Sequence, residues 1–419
     1  MQVRIHRGSR EVGGSCVEVT AGGSRLVLDV GRPLWAERDE QVPLPDVPGL
    51  ASGDDPSLLG VVVSHPHLDH YGLLDQVSPS VPVYAGAAAA AIVSAARWFS
   101  LSGPALRTTG YLSHGSPLQL GPFTVTPHLV DHSAFDSYAM VVEAAGRRLM
   151  YTGDLRGHGR KSRLFENMIA DPPRGIGALV MEGTNVRAGV DGVAGRPPAT
   201  ESQLEADMAS TFRSVAGLAV VAGSAQNVDR LVTTYRAARR AGRILLVDLY
   251  AIAVARATGR ASIPRPGFPS LGVWIPRRQR VLVKDSGEFH RTAAVRSVRV
   301  FAEQLAADPG KYVVFTGSSS VRELIRDGAL AADGALIWSM WSGYLSEPSG
   351  VRLRELLAGA DVPLIEHHTS GHASLIDLQR LVRAINPGVV VPIHTEAAAS
   401  FDRHFARASV HDDGEWWAA

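Results

Sequence analysis

Within Val61-Val62-Val63-Ser64-His65-Pro66-His67-Leu68-Asp69-His70 an apolar run empties into three histidines and an aspartate inside six positions. Histidine and carboxylate are the ligands zinc prefers after thiolate, and a His-x-His pair on extended chain can bring two imidazoles, His65 and His67, to one ion. Asp69 and His70 then point elsewhere. A second ion about 3.5–4 Å from the first is the economical way to use them. The chemistry these residue types suit is hydrolysis assisted by two metals.

Further ligand types recur at the ends of apolar runs. Phe123 to Val130 delivers Asp131-His132-Ser133, and Arg147 to Thr152 delivers Gly153-Asp154. His132 can complete the first ion's protein ligands, and Asp154 has a carboxylate able to bridge two ions. Ala178 to Met181 ends in Glu182-Gly183-Thr184-Asn185, and Val389 to Ile393 ends in His394. Asp29 closes Leu26-Val27-Leu28, where a carboxylate at the edge of an apolar strand caps a loop or faces a cation.

The elements that must carry these groups alternate strand and helix. Leu59 to Val63 is a short apolar strand covered on both faces, ended by Pro66, which lacks a ladder donor. Cys16 to Thr20 and Arg25 to Val30 form a hairpin through Ala21-Gly22-Gly23-Ser24. Tyr71 to Val77 is expected to be helical, Val81 to Ala85 a strand, and the Ala-rich stretch after it a buried helix closed by Arg97. Residues 186 to 199, rich in Gly, Pro and Arg, mark a domain boundary, after which Thr200-Glu201-Ser202-Gln203 caps a new helix.

The following section repeats strand, loop, helix. Leu218 to Ala222 feeds Gly223-Ser224-Ala225-Gln226-Asn227, and Tyr312 to Phe315 feeds Thr316-Gly317-Ser318-Ser319-Ser320. Small polar loops before a helix suit phosphate, and tight turns call for the same residues. Trp338, Trp341 and Tyr344 fit a domain-interface core better than a base-stacking surface. Glu366-His367-His368-Thr369-Ser370-Gly371-His372 then precedes a helix capped by Ser374 and stopped by Asn386-Pro387-Gly388. The return to the first style implies an inserted domain.

At 419 residues and 45% hydrophobic content the chain supports two or three domains. A formal charge of +1 advertises no global affinity for nucleic acid, so any phosphate-gripping surface must be local. Basic residues are almost all arginine; a base-composition bias explains this skew, although arginine also grips phosphate well. Cys16 is the only cysteine, which excludes an internal disulfide and a thiolate metal cluster and fits a reducing, cytoplasmic location. The N-terminus runs into a strand without an apolar signal region, and no stretch reads as a membrane span.

Taken together, these residues resemble the β-CASP nucleases of the metallo-β-lactamase fold, and within that group the ribonuclease J family. The motifs fall in order on Asp29, on His65-x-His67-x-Asp69-His70, on His132, on Asp154, on Glu182, on His372 and on His394. The resemblance implies an α/β fold: a metallo-β-lactamase αββα sandwich, residues 1–195 and 351–419, with a Rossmann-like β-CASP domain inserted at 196–350. It implies two zinc ions, with manganese as a substitute: His65, His67 and His132 on one, Asp69, His70 and His394 on the other. Asp154 bridges them and Asp29 supports from behind. Asp69, Glu182 and His372 are the implied catalytic groups, His372 as the acid for the leaving ribose oxygen, tuned by Glu182.

The implied activity is a zinc-dependent ribonuclease acting on single-stranded RNA through two-metal hydroxide attack, as a 5′-to-3′ exonuclease, an endonuclease or both. His394 resembles the RNA-processing branch, since the DNA-repair branch carries valine there. Ser224, Asn227, Ser318, Ser319 and His368 are the candidate substrate contacts. The loops bearing Ser224 and Ser318 depart from the family's Gly-Ser-Gln-Gly type, so no preference for 5′-monophosphate is carried over. The chain ends about 25 residues after His394, so the C-terminal domain usual in ribonuclease J is expected to be absent, with a homodimer still allowed. The rival readings are a DNA nuclease, a small-molecule ester or thioester hydrolase on the same dinuclear site, and a non-catalytic RNA-processing scaffold.

Overall fold

The structure is a computed structural model that describes residues 1–37, 40–99, 103–187 and 198–419. In chain order the strands are β1 (Gln2–Arg7), β2 (Cys16–Ala21), β3 (Ser24–Leu28), β4 (Leu58–Val62), β5 (Val83–Gly86), β6 (Gly110–Leu112), β7 (Leu118–Leu120), β8 (Phe123–Leu129), β9 (Tyr138–Ala144) and β10 (Arg147–Tyr151). They continue with β11 (Ala178–Glu182), β12 (Ala219–Ala222), β13 (Ile244–Val247), β14 (Leu271–Val273), β15 (Tyr312–Thr316), β16 (Ala335–Trp338), β17 (Leu364–Glu366), β18 (Val389–Ile393) and β19 (Trp416–Ala418).

The chain divides into two compact units, one from Met1–Arg97, Leu101–Pro197 and Gly371–Ala419, the other from Trp98–Ser100 and Pro198–Ser370. The first unit holds two sheets, in the orders β19-β1-β2-β3-β4-β5-β6 and β18-β11-β10-β9-β8-β7. Strand alternation explains their packing. In β9, Tyr138, Met140, Val142 and Ala144 join a core with Val3, Ile5, Val17, Leu26 and Leu28, whereas Ala139 and Val141 join a separate core with Phe165, Leu378 and Leu381. The helix Ala87–Phe99 covers the other sheet through Ala89 and Val93 on Val61 and Val63. Two sheets face to face with helices outside give the αββα sandwich.

The second unit is one parallel sheet, β14-β13-β15-β12-β16-β17, as a doubly wound fold requires. Its two faces bury separate cores, Ala219 and Val221 of β12 on one and Val220 and Ala222 on the other. Because β17 pairs in parallel with β16, the helix Pro348–Ala358 and β17 belong to this unit. The return to the sandwich therefore falls at Gly371 and not at 351. The other expected boundary, at 195 and 196, lies outside the described residues.

Two local expectations also change. The helix after the histidine motif covers only Leu68–Tyr71, because Gly72 follows as its C-cap and the chain continues in turns. Trp338 is buried in the second unit's core, but Trp341 and Tyr344 are exposed at 62% and 45%, packed edge to face on each other.

Candidate metal centre

Most motif residues of the first unit sit at or just beyond a strand end, while Asp69 and His70 lie in the short helix Leu68–Tyr71. β3 leads to Asp29, β4 to Ser64 and His65, β8 to His132, β10 to Asp154, β11 ends on Glu182, and β18 leads to His394. Neighbouring strands carry these ends: in one sheet β10 lies between β9 and β11, and β11 between β10 and β18, and in the other β3 pairs with β4. Gly31 lets the loops close, since a Cβ there would sit 1.8 Å from the Asp69 carbonyl oxygen.

The side chains converge in two groups that share Asp154. His65, His67, His132 and Asp154 place one ligand atom each within 4.8 Å of the others, and so do Asp69, His70, Asp154 and His394. One oxygen is central: Asp154 Oδ2 lies 3.6 Å from His65 Nε2, 3.2 Å from His70 Nε2 and 3.8 Å from His394 Nε2. Both Asp154 oxygens, His65 Nε2 and His70 Nε2 are buried without a hydrogen-bond partner. Buried polar atoms are rarely left so, and a shared, unpaired carboxylate ringed by imidazole nitrogens is the donor set of a divalent cation. These residues fit metal ions.

Neighbouring acceptors turn the imidazoles. The Gly371 carbonyl accepts from His132 Nδ1 at 2.6 Å, which turns Nε2 into the cluster, 3.2 Å from His67 Nδ1. Asp29 is fully buried and is not a member of either group. Its Oδ1 accepts from the Ser64 amide at 2.6 Å, and its Oδ2 from Ser64 Oγ (2.7 Å), His70 Nδ1 (2.8 Å) and Tyr151 Oη (2.7 Å). Asp29 thus contacts the back of His70 and lies outside both ligand groups. His394 Nδ1 lies 2.8 Å from Thr184 Oγ1, and its Nε2 is 3.1 Å from Asp69 Oδ2.

Burial, helped by neighbouring histidines, pushes the pKa of His65 and His132 well below the usual value, and burial lowers His67 too. Neutral imidazoles are the ligand form. Burial works against charge on Asp69 and Asp154, but His394 and His70 outweigh it and hold both carboxyls low. His70 is held well above its usual range: burial opposes the charge, and the Asp154 and Asp29 carboxylates overcome it.

Beside this cluster His372 Nδ1 lies 3.3 Å from Glu182 Oε2, 3.6 Å from Asp154 Oδ2 and 3.1 Å from Thr184 Oγ1. Burial disfavours its charge, yet Glu182 and Asp154 hold its pKa up at about 9. Glu182 is itself fixed by the amides of Leu155, Ala373 and Thr184. Sequence reasoning missed Thr184, which touches both His372 and His394, and Asn185, whose amide donates to the carbonyls of His372 and Ala373. Their only signal was position, directly after Glu182.

The candidate substrate contacts lie in the second unit. Ser224 follows β12, and Ser318 and Ser319 follow β15; these strands are neighbours, so both loops share one edge of the sheet. Asn227 spends its side-chain oxygen capping the helix Val228–Arg240 through the Arg230 amide. His368 follows β17, on the far side of β16.

The fold is of the metallo-β-lactamase type, and the cluster fits a metal-dependent hydrolase. Residues 33–188 match the beta-lactamase superfamily domain, and residues 365–411, which include His372 and His394, match the Zn-dependent metallo-hydrolase RNA specificity domain. More particularly, the chain is similar to ribonuclease J proteins. It is 26% identical over 375 residues to ribonuclease J of Sinorhizobium meliloti, covering 85% of this chain and 60% of that one. Ribonuclease J of Helicobacter pylori is 19% identical over 405 residues, 93% of this chain and 55% of the relative. The chain therefore spans about three fifths of the length of these relatives. A crystal structure of a protein of unknown function from Enterococcus faecalis V583 shares the fold, with a TM-score of 0.80, 19% identity and 99% of each chain covered. Among the described residues no helix is long and apolar enough to cross a membrane.

Proposed function

We propose that this chain is a metal-dependent ribonuclease hydrolysing phosphodiester bonds of single-stranded RNA, as a 5′-to-3′ exonuclease, an endonuclease or both. The observation that carries the reading is the pair of His/carboxylate groups sharing the unpaired Asp154, with a proton-bearing histidine, His372, beside it. His65, His67, His132 and Asp154 would hold one ion; Asp69, His70, His394 and Asp154 would hold a second. Zinc suits these ligands and manganese is a substitute. Bound divalent ions supply Lewis acidity for the phosphodiester and lower the pKa of water.

The protein's own groups do the rest. Asp69, whose Oδ2 lies 3.1 Å from His394 Nε2, would be the carboxylate that takes a proton from the attacking water. His372 carries a proton for the leaving ribose oxygen. Burial opposes its charge, but the Glu182 and Asp154 carboxylates hold its pKa up at about 9, so the imidazole keeps its proton at neutral pH. Glu182 keeps that imidazole oriented through Nδ1. RNA is preferred to DNA as substrate on two grounds: His394 at the last motif, and the match of 365–411 to an RNA specificity domain. The same reading makes the chain a cytoplasmic enzyme and leaves a homodimer allowed.

The test is product length from one 5′-labelled, 5′-monophosphorylated RNA, incubated beside its DNA copy and an Asp154→Ala control. Mononucleotides from RNA alone mean an exonuclease, and internal fragments an endonuclease. Equal cutting of DNA refutes the RNA assignment, and undiminished cutting by the Asp154→Ala variant refutes the centre.

A further inference from the structure

The charge of +1 hides an uneven distribution. Residues 277–299, RRQRVLVKDSGEFHRTAAVRSVR, carry seven of the 42 basic residues and two of the 41 acidic ones, so the remaining chain is net acidic. This segment lies wholly in the second unit, whereas every ligand candidate of the metal cluster belongs to the first.

The helix Arg277–Ser286 opens it, and its charges are arranged against its own stability. Arg277, Arg278 and Arg280 fall in the first turn, which contains no acidic residue, and Pro276 gives no side-chain cap. Cations there oppose the positive end of the helix dipole. Arg277, Arg280 and Lys284 stand at i, i+3 and i+7, one face of the helix, where like charges repel. The exposed Val281, at 42%, lies between them on the same face.

Little within the protein offsets this. Glu323 accepts from the Arg277 amide and pairs with the Arg280 guanidinium at 3.0 Å. Among the described residues, Arg277, Lys284 and Arg299 make no ion pair with a carboxylate. Arg299 adjoins this helix: it bridges to Val273 of β14 and the next amide, Val300, donates to the Val273 carbonyl, while burial and the neighbouring Arg280 charge hold the Arg299 pKa down. The Arg299 guanidinium lies 4.4 Å from the ring centre of Phe301, whose side chain is 49% exposed. Unneutralised cations beside an exposed ring match an unpaired nucleotide strand, whose phosphates meet the cations while a base stacks on the aromatic. An acidic protein partner would leave the ring without a matching surface.

We propose that Arg277, Arg280, Lys284 and Arg299, with the ring of Phe301, form a docking strip for the phosphate backbone and one unpaired base of single-stranded RNA. This proposal rests on the ribonuclease reading for the identity of its ligand, but not on the metal centre. The strip raises affinity for long substrates and takes no part in bond cleavage.

The experiment uses the full chain, wild type and Arg277→Gln/Lys284→Gln/Arg299→Gln, with the Arg280 to Glu323 pair left intact. Fluorescence anisotropy measures binding of a 40-nucleotide 2′-O-methyl RNA across a salt series, and hydrolysis of a 5-nucleotide RNA reports catalysis. The triple variant is expected to bind the 40-mer at least tenfold more weakly at low salt. Its log affinity against log salt should flatten by about 2, from about 0.7 per single-strand phosphate contact. The kcat on the 5-mer stays unchanged. Lysine at positions 277 and 299, with Lys284 native, restores binding, which separates charge from folding. Phe301→Ala weakens the single strand and leaves a duplex of the same sequence unaffected.

Unchanged 40-mer affinity and salt slope in the triple variant overturn the proposal. Equal loss on the duplex overturns the assignment to unpaired RNA. If the wild type cleaves no RNA while the variant still loses 40-mer binding, the strip stands and the ribonuclease reading fails.

Discussion

Replacing Asp29 by Asn tests whether the buried carboxylate behind His70 sets metal affinity. Four donors converge on Asp29: the Ser64 amide on Oδ1, and Ser64 Oγ, His70 Nδ1 and Tyr151 Oη on Oδ2. An asparagine has one acceptor oxygen. With its NH2 turned towards His70, the imidazole must move its proton to Nε2, the atom 3.2 Å from Asp154 Oδ2, and can no longer ligate. With the NH2 turned the other way, the Ser64 amide is stranded beside His65. Either arrangement should lower affinity for one ion 10- to 100-fold, about 1.4–2.7 kcal/mol. The assay is competitive zinc titration against a chromophoric chelator, run with hydrolysis at limiting and saturating zinc. Activity should recover substantially at saturating zinc. Ser64→Ala, which leaves the His70 and Tyr151 contacts, should lose less. Wild-type zinc affinity in a folded Asp29→Asn protein would refute the orienting role.

Three other outcomes are expected. His372→Ala should lower kcat by about 10² to 10⁴ with zinc content unchanged, checked by metal analysis and single-turnover hydrolysis; near-full activity would remove it as the acid. Chelation should lower Tm, since ions bound only to the native state contribute about 4 kcal/mol at a thousandfold excess over Kd, and calorimetry with and without added zinc reads the difference. Glu18, buried between His6 Nε2 (2.7 Å) and Arg25 (2.8 Å), has its pKa lowered from 4.5, because their hydrogen bonds and charge outweigh the opposing burial. A lowered native pKa means stability that is full above pH 4.5 and is lost as pH falls through the native value. Urea unfolding should show Glu18→Gln about 3 kcal/mol less stable at pH 7, with the gap shrinking in acid; a constant gap would show that the charge is irrelevant.

The donor types and their order were legible in the sequence because they depend on local features. His65-x-His67 is a feature of spacing, and the candidate ligands His132, Asp154 and His394 each follow an apolar strand whose end can be read from composition. The inserted, parallel character of the second unit was visible in the same way, from repeated strand, loop and helix. Its exit at Gly371 was not, since β17 is three residues long and is defined only by pairing with β16. The basic face at 277–299 went unread because global charge averages it away.

Only tertiary structure decided how the groups share their work. Asp29 could be a cap or a ligand until Ser64, His70 and Tyr151, the last 122 positions away, were seen to converge on it. His132 takes its orientation from a carbonyl 239 residues distant, and Thr184 joins His372 to His394 across comparable gaps. Ligand identity is a property of residue type and short-range spacing, which a sequence displays. Proton placement and partner choice are properties of contacts between strand ends, which exist only once both sheets of the first unit have closed on their common core.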